Sequence, residues 1–238
     1  MENKKKKRYG IIAALLLLVL AAGVGTYAWL TATQSLENVF TVGSFGPTDK
    51  KPDPTDPEKP GSEENNGKAY LFETKWVENS KIVPGATTDK NPNVGIKQGS
   101  DDAYVFIYVK NAMVEESTDG SNTPYFTLNN NWKPVSTDQV KTNGTENQYV
   151  SGLFMYAKNS ANGPAVLRAK TADADVYTGE LFGQVVFPNT LDGSMVAKNP
   201  KMTVSAYIFG ADQKGDKADA SANALEQAKE WAKTQAQA

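Results

Sequence analysis

The chain has 238 residues, a formal net charge of −2, and neither histidine nor cysteine. That charge balance offers no basic face for nucleic acid. The missing cysteine rules out a disulfide framework, a thiol nucleophile and a thiolate metal site, and the missing histidine rules out an imidazole general base, every Ser-His-Asp or Cys-His triad and the histidine-bearing zinc sites.

The first stretch has the form of an export signal. A basic cluster, Lys4 to Arg8, precedes an apolar run from Ile11 through Val24 and then Gly25-Thr26-Tyr27-Ala28-Trp29-Leu30. A charged region, an apolar region and small residues at the end are the marks of a secretory signal. Thr26 and Ala28 stand at the −3 and −1 positions of a cut before Trp29. Read up to Leu30, the apolar stretch approaches the ~20 residues that span a bilayer. The competing reading is therefore an uncleaved anchor at residues 1–28, with the membrane met only through this segment.

Residues 29–46 read as one extended segment, with a strand over Asn38–Phe45 (Asn38, Val39, Phe40, Thr41, Val42, Phe45). Residues 47–67 then carry Pro47, Pro52, Pro54, Pro57 and Pro60 among acids, amides and lysines. Such sequence builds no core and reads as a semi-extended tether, reaching on the order of 60 Å if fully polyproline-like.

From residue 68 to 238 the texture is that of a β domain. Strands are expected at Ala69–Val77, Ala103–Val109, Tyr125–Leu128, near Trp132–Val135, at Tyr149–Ala157 with a bulge at Gly152, and at Ala165–Lys170, Glu180–Phe187 and Lys201–Phe209. Ala103–Val109 is apolar on both faces, as a central strand would be. Asn91-Pro92-Asn93 and Ser136–Asn147 read as a turn and a loop. A helix is expected over Asn223–Lys233, with Asn223 as N-cap and Leu225, Ala228, Trp231 and Ala232 as its apolar stripe. The fold class is all-β: a two-sheet β-sandwich of jelly-roll type with a short C-terminal helix, preceded by the signal helix and the proline-rich linker.

Paired acids at Asp101/Asp102, Glu115/Glu116 and Asp173/Asp175 could join backbone oxygens around Ca²⁺, but no EF-hand spacing exists and acidic surface loops are commoner. No glycine-rich phosphate loop is present. No cofactor, metal or catalytic residue is expected, and the chain does not read as an enzyme. Trp76, Tyr104, Phe106, Tyr108, Trp132 and Tyr207 could form a ligand-stacking surface; strands apolar on both faces favour a core role.

Several short motifs, in order, resemble the TasA/camelysin family of exported Gram-positive proteins. They are Gly25-Thr26-Tyr27-Ala28, Asn38-x-Phe40-Thr41-x-Gly43, Asn91-Pro92-Asn93-Val94 before Ala103-Tyr104-Val105, Thr178-x-Glu180-Leu181-Phe182, and Val204-Ser205-Ala206-Tyr207 followed by a helix bearing Trp231. The sequence departs from the family after the cut, with Trp29-Leu30-Thr31 in place of Phe followed by Ser/Asn-Asp. The resemblance implies a jelly-roll sandwich, processing by a dedicated signal peptidase and an N-terminal strand used in assembly. It implies a secreted or cell-surface subunit whose partners are further copies of itself, the signal peptidase and other matrix proteins. The metalloprotease activity ascribed to part of that family needs His-Glu-x-x-His or an equivalent, and this chain has no histidine. The alternative from the same features is an anchored surface binding module on a proline-rich stalk. The N-terminal residue of the protein in medium and cell envelope separates the two: Trp29 for the fibre, Met1 or Glu2 for the stalk.

Overall fold

The computed structural model describes residues 32–39, 52–53, 56–60, 69–75, 81–115, 120–158, 163–211 and 219–237. In chain order these hold β1 (Ala32–Val39), β2 (Pro52–Asp53), β3 (Asp56–Pro60), β4 (Ala69–Phe72), β5 (Thr87–Asp89), β6 (Asn93–Ile96) and β7 (Ala103–Val114). They continue with β8 (Trp132–Pro134), β9 (Val140–Thr142), β10 (Tyr149–Tyr156), β11 (Val166–Leu167), β12 (Val176–Tyr177), β13 (Gln184–Val186), β14 (Val196–Gly210) and a helix, α1 (Ala220–Gln237).

The architecture is an all-β sandwich with a helix on one outer face. Its large antiparallel sheet runs β1-β14-β7-β10-β8, with β11 also paired to β7 and β9 to β10. The facing layer consists of β12-β6-β4 and the pair β13-β5. Single bridges Tyr125–Val186 and Phe126–Tyr149 tie β13 to β10 across the join between the layers.

The alternation of β7 explains why it looks apolar throughout. Val105, Ile107 and Val109 face inward with Met202, Val204 and Ala206 of β14, against Leu71, Val94, Ile96 and Phe182 of the facing layer. Phe126 stacks on Phe182 at a centroid distance of 4.2 Å in this core. Tyr104, Phe106 and Tyr108 point the other way, with Tyr207 and Phe209, and α1 covers them. Each large side chain removed from water on either face contributes about 1.5–3 kcal/mol, so the central strand stabilises two layers at once.

The helix differs from the sequence expectation in extent and register. It begins three residues earlier and continues to Gln237. Asp219, not Asn223, caps it: Asp219 Oδ1 accepts from the Ser221 N–H at 2.9 Å. Asn223 lies inside the first turns, buried, and donates from Nδ2 to the Asp219 carbonyl. The buried seam is Ala224, Ala228 and Ala232, while Leu225 and Trp231 flank it. Small side chains at i, i+4 and i+8 let the helix lie close to a sheet already crowded with aromatic rings. Trp231 stacks on Tyr207 at 5.3 Å and meets Tyr108 edge-on.

Strand limits also shift. β4 ends at Phe72, β7 runs on to Val114 and β14 begins at Val196. β6 begins within the expected turn and β9 lies within the expected loop, while β5 and β12 arise where the sequence reading assigned no element. The Gly152 bulge is present: φ is +136° and the β9–β10 register slips between Tyr149 and Ser151. In the proline-rich stretch, β2 and β3 pair only with each other. The described part of that stretch is therefore a small ribbon. A two-stranded ribbon is all edge, the one sheet position that tolerates proline.

Candidate functional site

The N-terminal strand sits at the edge of the large sheet. β1 pairs antiparallel with β14 over eight residues, from Ala32 opposite Ile208 to Val39 opposite Lys201. β1 also comes against β4, so it lies at the seam where the two layers meet. The described ladder begins six residues before the start of the expected strand and overlaps it at Asn38 and Val39. Of the expected assembly residues, Asn38 and Val39 fall in β1; Phe40, Thr41, Val42 and Phe45 lie outside the described residues, as do the cleavage residues Thr26, Ala28 and Trp29.

β14 is built to hold this place. Along Lys201–Gly210 it pairs with β7 on its other side. Met202, Val204, Ala206 and Ile208 enter the core, while Tyr207 and Phe209 pack under α1. The strand is therefore fixed independently of β1, and its second row of backbone donors and acceptors is the surface that β1 occupies. The opposite edge of the sheet is short and interrupted: β8 contains Lys133 and Pro134, and a 3₁₀ turn at Thr137–Gln139 separates it from β9. Lysine, proline and brevity all discourage strand pairing there.

Two of the paired acids, Asp102 and Asp175, take up structural roles, and Glu116 lies outside the described residues. Asp102 Oδ1 accepts from the backbone N–H groups of Ala169 and Lys170 at 2.9 and 3.0 Å. Asp175 accepts from the Gln98 N–H at 3.0 Å and from the Tyr70 hydroxyl at 2.8 Å. Asp101, Asp173 and Glu115 converge on no common point, and among the described residues no three acids cluster to hold a metal. The aromatic residues Tyr104, Phe106, Trp132 and Tyr207 are buried and Tyr108 is half-buried under Trp231, which places them in the core. Trp76 lies outside the described residues.

A buried polar junction was not foreseen from sequence. It forms where the turn after β4, the β5–β6 connection and the β12–β13 connection meet. Lys90 Nζ is 2.6 Å from Glu73 Oε1, with both side chains shielded from solvent. Asn91 Oδ1 accepts from the Thr74 and Lys75 N–H groups, and its Nδ2 donates to Glu180 Oε1. Beside it the Thr178 hydroxyl donates to Asn93 Oδ1 at 3.0 Å and accepts from the Val94 N–H. The Leu181 N–H reaches the Pro92 carbonyl at 2.8 Å. The Asn91–Val94 and Thr178–Phe182 motifs are thus two halves of one clasp. The cue available in the sequence was a lysine and two asparagines beside a proline, just before the apolar Val94-Gly95-Ile96.

Burial raises the phenol of Tyr70 far above its ordinary value, and its hydrogen bonds to Tyr177 and Asp175 push the same way. Among the described residues no helix is long and apolar enough to cross a membrane. No protein-family model, curated protein or solved structure matches the chain.

Proposed function

We propose that the protein is an exported structural subunit of cell-surface or biofilm-matrix fibres, with no enzymatic role, and that subunits join by strand addition. The N-terminal strand of one copy takes the β1 position beside β14 of the next. Backbone hydrogen bonds supply affinity and the sequence around Asn38–Phe45 supplies register. A contact of this heterologous kind does not close on itself, so it propagates a filament.

One observation carries the reading. An eight-residue strand completes the edge of a sheet that is otherwise fully built, yet it joins the body only through residues 40–68. Loops between neighbouring strands of a compact domain commonly have about 4–6 residues. The longer connection lets the strand reach a second body. The export signal and the resemblance to the TasA/camelysin family add support, and from them the other partners are the signal peptidase and further matrix proteins.

Deletion of Trp29–Phe45 tests the reading. The truncated protein is expected to stay folded and soluble and to form no filaments under electron microscopy. Filaments of normal appearance from the truncation would refute strand addition.

A further inference from the structure

The Lys90–Glu73 pair is not used by the assembly reading, and it is the most completely buried pair of opposite charges among the described ion pairs. Exposure of the two side chains is 0% and 4%, and Nζ and Oε1 are 2.6 Å apart. Both are hung from fixed backbone. The Lys90 N–H donates to the Gly183 carbonyl at 3.1 Å. The residues after Glu73 are held by Asn91, whose side chain bonds the Thr74 and Lys75 N–H groups and the Thr74 hydroxyl.

Two ions in such a place have lost their hydration. Burial draws the Lys90 ammonium below the usual lysine range, against the pull of the Glu73 carboxylate. Passing one proton across the contact yields an amine and a carboxylic acid, which are the two partners of an amide condensation. We propose that Lys90 and Glu73 form an intramolecular isopeptide bond, making this junction a self-modification site. The neutral Nζ attacks Cδ of the protonated Glu73 carboxyl. The N–C bond forms, the bond from Cδ to one carboxyl oxygen breaks, and that oxygen leaves as water with its own proton and one from the amine. Nothing is oxidised or reduced and no co-reactant is needed.

Two effects favour the product. Groups held in contact react with effective molarities of about 10⁵–10⁸ M, which offsets the unfavourable condensation of free amine and acid in water. The amide also replaces two buried charges with none, and its hydrolysis would require water to return to a sealed site. The bond would staple the turn after β4 to the β5–β6 connection, in a chain that has no cysteine to do so.

The test is the mass of the full chain, purified and then denatured, followed by proteolytic mapping. The expected result is a deficit of one water molecule, located in a branched peptide that joins the Glu73 and Lys90 fragments. Lys90→Met is expected to restore the full mass. Because the wild-type protein itself is measured, instability of that variant leaves the test intact. Full mass in the wild type, or a water loss that maps elsewhere, overturns the proposal. Neither result depends on whether the protein forms fibres.

Discussion

Gly152 offers a quantitative check on the packing between β9 and β10. Its φ of +136° belongs to a region that L residues rarely adopt. A Cβ added there would meet the Gln139 carbonyl oxygen at 2.5 Å and Val140 Cα at 2.6 Å. Both are backbone atoms, and β9 cannot retreat without giving up its pairing with Ser151 and Gly152. Backbone strain of about 1–3 kcal/mol and overpacking of a similar size then add to roughly 2–6 kcal/mol for Gly152→Ala. In a domain of this size each kcal/mol lowers Tm by about 2–4 °C, so a fall on the order of 10 °C is expected. Gly99 is the control: φ is +72° and nothing lies within 4 Å of the added atom. Gly99→Ala carries only the left-handed penalty of about 1–2 kcal/mol. Calorimetry of the two variants side by side gives the answer. A Gly152→Ala protein that melts with or above Gly99→Ala would show that β9 yields freely and that the bulge is not held as described.

Two further tests address the edge and the tyrosines. Only alternate residues of an antiparallel strand donate toward a given neighbour, so prolines at both Leu36 and Glu37 remove one donor from the β1–β14 ladder whichever set is used. Losing that bond, at about 1–3 kcal/mol, is expected to weaken assembly roughly 5- to 150-fold by sedimentation, with the circular dichroism of the body unchanged. Unaltered assembly would argue against the observed register. Tyr70 bears on pH: its folded pKa is raised above the unfolded value of 10.0 by burial and by its bonds to Tyr177 and Asp175. Its contribution to stability is fully present below that unfolded value and is lost progressively as pH climbs above it. Tyr70→Phe should therefore flatten the alkaline fall in stability, and an identical pH profile in wild type and variant would remove Tyr70 as its cause.

Much of the sandwich was legible because local pattern and tertiary role coincide. Ala103–Val109 has apolar or aromatic residues at every position, and in the fold it is flanked by strands on both sides and covered on both faces. The bulge at Gly152 was legible for a similar reason, since a glycine within an apolar strand usually marks one. What failed depended on distant partners. Asn91, Pro92 and Asn93 carry turn chemistry, but their side chains and carbonyls are satisfied by Thr178, Glu180 and Leu181, more than 80 residues away, and β6 follows at once. The helix seam was legible at Ala228 and Ala232, and Ala224 was missed because alanine gives little hydrophobic signal. Leu225 and Trp231 drew the stripe toward themselves, while the closest approach belongs to Ala224, Ala228 and Ala232. The β1–β14 edge was legible as a strand, and Asn38 and Val39 of the expected strand fall in it, while Phe40–Phe45 lie outside the described residues.

If subunits join by strand addition as proposed, the tether sets the balance between a strand that pairs at home and one that pairs with a neighbour. Closing a connection of about 30 residues instead of about 5 costs only about 1.6 kcal/mol more, because loop entropy grows with the logarithm of length. Pairing within one chain is therefore weakened roughly 15-fold but not forbidden. A link of this length presents its own strand at roughly millimolar effective concentration. Free subunits at micromolar concentration should then keep β1 on their own β14, and growth should need a filament end or local crowding to tip the exchange. Replacing residues 47–67 with three glycines removes the β2–β3 ribbon and shortens the link. The local concentration of the chain's own strand rises, and its reach to a second body shrinks. Filament yield by sedimentation should fall steeply, while the sandwich keeps its circular dichroism and melting temperature. A stalk would behave otherwise, since a shorter one changes only the height of the domain above its anchor. If the shortened protein gives filaments in normal yield and with the same repeat distance, the tether does not govern the exchange, and the case for a strand made to leave its own body fails with it.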